Sequence, residues 1–125
     1  MESVPFHFDL GTSTVHGILR LEKQGICIEW RIYNAVDVPK GELKTISIPY
    51  NQITNVEYRR GLVGGKITVT AERAGLFRDF PLPAGTQQEL KVAIKRIHKS
   101  DAQGWSAEAA LRAAESERPE LTSES

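Results

Sequence analysis

At 125 residues, 40% hydrophobic and 26% charged, the chain has the composition of an ordinary globular domain, long enough to build one core without disulfide or metal staples. Sixteen Lys and Arg balance sixteen Asp and Glu, which excludes a net field drawing the whole molecule to nucleic acid or membranes. The balance is uneven: residues 1–105 carry 14 basic and 11 acidic side chains, a net +3, and residues 106–125 carry 2 and 5, a net −3.

The single cysteine, Cys27, has no internal disulfide partner and fits a reducing compartment. The opening MESVPFHFDL lacks a basic region followed by an apolar run, and no stretch is apolar for the length a bilayer requires. The expectation is a cytoplasmic chain with no transmembrane segment.

In chain order, Val4, Phe6, Phe8 and Leu10 alternate with polar residues or proline at the period of a half-buried strand, with Pro5 near its start or at a sheet edge. Gly11–Ser13 reads as a turn. Val15, Leu19 and Leu21 then share a face, Ile18 breaks the alternation, and Gly17 suits a bend or a close crossing. After Lys23–Gly25, Ile26, Ile28, Trp30 and Ile32 face one way and Cys27, Glu29, Arg31 and Tyr33 the other, completing a hairpin. Asn34–Glu42 reads as the longest loop, with Pro39 and Gly41 as breakers. Strands follow at Leu43–Ile48, Asn55–Arg60 and Lys66–Glu72, separated by a turn at Tyr50–Ile53 and the glycine-rich Gly61–Gly65; a less regular strand is expected at Leu76–Leu82.

Thr86–Lys99 then reads as an amphipathic helix. Leu90, Ala93, Ile94 and Ile97 form its stripe, Thr86 and Glu89 a capping box, and Lys91, Lys95, Arg96 and Lys99 its polar side. Beyond it, Ser106–Glu117 has strong helix formers but an alanine stripe with Leu111 as its one large residue, marginal as an isolated helix. Pro119 onward reads as disordered. The expected division is a domain over residues 1–100 and a polar tail, part of it helical, over 101–125.

About seven short antiparallel strands and one helix make a mainly β fold, a closed or nearly closed barrel plugged by the helix. Residues Ile46–Ile53, Val56, the Gly64-Gly65 turn, Ile67–Val69 and the closing helix with Leu90, Ile94 and Ile97 carry a resemblance to the pleckstrin-homology-like superfold, above all its compact bacterial and GRAM-like versions. The resemblance covers roughly residues 4 to 99. It implies two roughly orthogonal sheets, of four and three strands, with the helix over one open corner. Lipid-binding members of that superfold carry Lys and Arg around the first loop. Here that loop is Gly11–Ser13, with only His16 and Arg20 near it, which counts against phosphoinositide recognition. Other members bind peptides at a strand edge and the groove beside the helix.

Chemistry is sparse. Arg60–Ile67 fails as a phosphate loop, because glycine, Ser or Thr, and a following helix are all wanting. His7, His16 and His98 lie on separate elements without ligand spacing; His7 and His16 meet only if their strands pair. Cys27 has Glu29 as a neighbour, which would not activate it as a nucleophile, so it reads as a structural or incidental thiol. No nucleophile–base set assembles, so the expectation is a non-enzyme without cofactor or metal. Arg31, Arg59, Arg73, Arg78 and the helix lysines, with Tyr33 and Tyr58 interleaved, are candidates for a basic nucleic-acid face. The pI of about 6.8 argues against strong phosphate-backbone affinity, and no nucleic acid partner is expected. A barrel cavity for a small ligand is disfavoured by the bulk of Trp30, Phe6 and Phe8.

One loop is sharper. Leu62 and Val63 lie between Arg59, Arg60 and Lys66, an apolar tip ringed by cations that suits an anionic bilayer surface, the bland alternative being that the two pack on the barrel mouth. The leading expectation is a non-catalytic module that binds a protein segment or itself through a strand edge, with peripheral binding of anionic lipid through this basic loop as the runner-up.

Overall fold

A computed structural model describes residues 3–73, 75, 77 and 88–116. Seven antiparallel strands form one sheet: β1 (Ser3–Asp9), β2 (Thr14–Leu21), β3 (Gly25–Tyr33), β4 (Pro39–Pro49), β5 (Ile53–Arg60), β6 (Gly64–Ala71) and β7 (Glu89–Lys95). A 3-10 turn at Arg96–His98 leads into α1 (Lys99–Ser116), the one α-helix among the described residues. The strand order is β4-β3-β2-β1-β7-β6-β5, broadly pleckstrin-homology-like in topology. The expected closure is absent. β4 and β5 remain edges, and α1 packs chiefly on β5 and the 3-10 turn Tyr50–Gln52.

Period-2 patterning is clear in β1, β2, β3 and β6. Val4 and Phe6, Val15 and Leu19, Ile26, Ile28 and Trp30, and Ile67 and Val69 all turn inward and are buried. Gly17 is a close crossing, as its sequence position suggests: a Cβ there would lie 2.4 Å from the Phe6 ring and 2.3 Å from the Glu29 carbonyl oxygen. Pro5 lies on the part of β1 before its single pairing with β7, His7 opposite Ala93.

The connection after β3 is shorter than the nine-residue loop expected, because β4 begins at Pro39, which pairs with Tyr33. The Asn34 side chain accepts the Val36 and Val38 backbone N–H groups at 2.9 and 3.0 Å, closing the turn in five residues. Gly64 and Gly65, expected in a turn, instead open β6 opposite Lys95 and Ile94. Tyr58 leans over Gly65, where a Cβ would meet its ring at 2.6 Å.

The largest correction concerns the helix. Residues 89–95 of the expected Thr86–Lys99 helix are β7, which lies between β6 and β1. Leu90, Val92 and Ile94 are buried while Lys91 and Lys95 are exposed, so a two-residue period wins over the helical reading. β-branched Val92 and Ile94 favour it, and pairing β6 along Gly64–Thr70 satisfies backbone groups that a helix would leave open. Ile97, assigned to the buried stripe, is 83% exposed. The helix instead begins at Lys99. Ala102, Trp105, Ala109 and Ala113, at spacings of three and four, are its buried stripe, and Leu111 faces out. Residues 101–116, expected within a polar tail, thus cover part of the core. Leu76, residues 78–82, Thr86 and the stretch from Glu117 onward, and with them the expected seventh strand, the helix cap and the disordered end, lie outside the described residues. Phe77 is described and buried.

Candidate functional site

Alternation places the site. With Ile67, Val69, Leu90, Val92 and Ile94 committed to the core, Lys66, Thr68, Lys91, Ala93 and Lys95 must project from the opposite face. There β5, β6, β7 and His7 of β1 enclose an open groove of about 960 Å³. Small residues keep it open: Ala93, Gly64 and Gly65 are among its walls.

The groove is basic. Arg59, Arg60, Lys66, Lys91, Lys95 and Arg96 line it, against Glu57 and Glu89. Glu57 pairs with Arg59 at 3.3 Å and Glu89 with Lys91 at 3.9 Å. Among the described residues, Arg60, Lys66, Lys95 and Arg96 have no carboxylate partner, so four cations face the opening unneutralised. His7 closes the β1 side. Partial burial, the neighbouring Lys95 and His16 together hold its pKa below the ordinary imidazole value, outweighing Asp9, which pulls the other way.

All five residues singled out from sequence, Arg59, Arg60, Leu62, Val63 and Lys66, line this one groove. Leu62 is 99% and Val63 84% exposed, so neither packs on the sheet's mouth. Gly64 pairs with Lys95, and the 3-10 turn carrying Ile97 contacts β6. The exposed Ile97 therefore stands at the same end of the sheet, next in sequence to Arg96 of the groove wall. The sequence does not bring Lys95, Arg96 and Ile97 to this loop, because the helical period of their stretch places them on a separate element. The alternation of Leu90, Val92 and Ile94 with Lys91 and Lys95 was the available signal.

No protein-family model, curated protein or solved structure matches this chain. The site is therefore read from its own geometry.

Elsewhere, His7 and His16 do meet across β1 and β2, with ring centroids 6.5 Å apart. His98 lies in the 3-10 turn Arg96–His98. Cys27 is buried and accepts an N–H from Arg20 at 3.5 Å. Among the described residues no three His, Cys, Asp or Glu side chains gather as metal ligands, and no helix is long and apolar enough to cross a membrane. Inside the sheet, Trp30, Trp105 and Phe77 are the largest fully buried side chains.

Proposed function

We propose that this protein is a non-catalytic pleckstrin-homology-like module that docks peripherally on anionic membrane surfaces through the groove lined by Arg60, Lys66, Lys95 and Arg96. The observation that carries this reading is the gathering in one groove of four cations without a carboxylate partner and two exposed aliphatic side chains, Leu62 and Val63, with the exposed Ile97 at the same end of the sheet. Aliphatic groups gain by leaving water for the acyl boundary, and each nearby cation adds attraction to an anionic leaflet. Neither feature alone would hold the protein at a bilayer, and their coincidence supports a two-part anchor.

Sedimentation with phosphatidylglycerol vesicles at low salt tests it. The protein is expected to pellet with these vesicles and to remain in the supernatant with neutral phosphatidylcholine. Leu62→Asp and Lys95→Glu should each weaken the association. Equal recovery with both lipids, or none with either, defeats the reading.

A second reading, binding of a protein segment or a second copy along β4, draws support from the edge position of that eleven-residue strand. It ranks lower because β4 is blunted as protected edges are, with Pro39 and Pro49 at its ends, Lys40 and Lys44 along it, and a bulge opposite Trp30–Ile32.

A further inference from the structure

The register continues the basic surface past the groove. Arg59 on β5 lies opposite Lys66 on β6, which lies opposite Ala93 on β7. Ala93 faces His7 on β1, His7 faces His16 on β2, and His16 faces Arg31 on β3. Directly opposed residues of antiparallel strands share a face. Six strands therefore contribute one row on the outer surface, about 24 Å long from the usual strand spacing. The row has three permanent cations, two imidazoles, one alanine and no acid. Arg31 lies beyond the groove wall, with its Nε buried and without a hydrogen-bond partner. Along the row, His16, His7 and Ala93 separate it from Lys66.

We propose that this row is a second stretch of the anion-binding surface, running over β1–β3, which takes up phosphodiester headgroups of the same bilayer once His7, at the centre of the row, is protonated. The proposal rests on the membrane reading of the groove and adds its regulation. In the free protein the proton on His7 is opposed by Lys95 from β7 and by His16 from β2, with Lys66 of β6 one strand further across Ala93; Asp9, on β1 itself, is the one acid acting on it. Around His16 stand Arg31 and Tyr33 from β3, the Tyr33 ring edge-on at 5.1 Å, while the nearby Glu29 is engaged by Arg20. Cations prevail on every side but one. An anionic surface supplies the missing counter-charge, so protonation and binding reinforce each other by linkage.

The test is vesicle binding by the full chain to phosphatidylglycerol, whose headgroup charge stays constant over the histidine range, at about pH 7.5 and about pH 5.5. Binding by the wild type should strengthen by about fivefold or more at the lower pH, the increment expected for each added cation near such a surface. His7→Gln should lose most of this gain, and Arg31→Gln should lose its share only at the lower pH. His7→Lys, which carries a permanent charge, should bind tightly at both, a rescue that a purely structural role for His7 would not give. If His7→Gln fails to fold, the wild-type imidazole titration followed by NMR decides, since its pKa should rise when short-chain anionic lipid is added. Wild-type binding of equal strength at both pH values overturns this proposal and leaves the groove reading standing, whereas no binding at either overturns the groove reading first. Preference at low pH for a single-stranded oligonucleotide over the vesicles overturns the assignment to a bilayer.

Discussion

Ile94 and Ile97 stand three residues apart in opposite surroundings, 2% and 83% exposed. A helix through this stretch would bury both on one face, whereas strand β7 buries the first and ends before the second. Ile94→Ala should therefore cost about 2–5 kcal/mol, the range for truncating a packed aliphatic side chain. Ile97→Ala should stay within about 0.5 kcal/mol, as exposed substitutions do. Urea unfolding of the two variants separates the possibilities, and comparable losses would restore the helix. His7 gives the second residue-scale prediction. An unfolded imidazole titrates near 6.5, and in the folded chain burial and Lys95 lower that value. The unfolded chain therefore holds the proton more tightly. His7's contribution is intact above the unfolded pKa and declines as pH falls through it toward the folded one. Thermal melts should show a downward slope in stability across that window, and His7→Gln should flatten it. An unchanged slope would place the proton elsewhere.

At the scale of elements, strands were far more legible in the sequence than the helix. β1, β2 and β3 announce themselves because inward and outward residues differ sharply in polarity, as Ile26-Ile28-Trp30 against Glu29 and Arg31 illustrates. Residues 90–97 satisfy two periods at once, since Leu90, Ile94 and Ile97 fit a helix and Leu90, Val92 and Ile94 fit a strand. The tie is broken by something no local window contains, the need of β6 for a partner. α1 was obscured for a different reason: its stripe is built from alanines, whose small side chains let the backbone approach β5, with Trp105 supplying the bulk. The helix is also fastened near its end. The Arg112 guanidinium donates to the Tyr50 hydroxyl at 3.2 Å, to the Glu22 carbonyl at 3.3 Å and to the Glu108 carboxylate at 2.9 Å, while the Tyr50 hydroxyl itself donates to Glu22 at 2.7 Å. Tyr50 and Glu108 hold the guanidinium above its ordinary pKa. Tyr50→Phe removes the shared hydroxyl from this cluster and should cost about 1–3 kcal/mol. Hydrogen exchange should then quicken at the C-terminal end of α1 before β1–β3 respond. Uniform quickening would mean that the cluster does not hold the helix locally.

Across the whole molecule, two strand groups, β4-β3-β2-β1 and β7-β6-β5, meet at one paired position, His7 with Ala93. That seam explains why the groove was only half legible. The Arg59–Lys66 loop is contiguous in sequence and could be read as a cluster, but Lys95 and His7 reach it through pairings between residues far apart in the chain. Such a narrow seam leaves the two groups dependent on whatever spans them from the core side. α1 contacts β5, β6 and β7 on one side and β1 on the other, with Trp105 fully buried among the core residues. A chain ending at Ser100 would keep every strand and lose Ala102, Trp105, Ala109 and Ala113 from the interior. If α1 were dispensable to the body, that shortened chain would unfold cooperatively at nearly the temperature of the parent. The buried stripe points the other way. Loss of Trp105 alone should cost about 3–5 kcal/mol, a large share of the roughly 5–15 kcal/mol that stabilises a typical domain. The truncated protein should therefore melt without a sharp transition and bind a hydrophobic dye. Its vesicle binding should lose its dependence on Lys95, because the groove has walls only while β7 is held against β1.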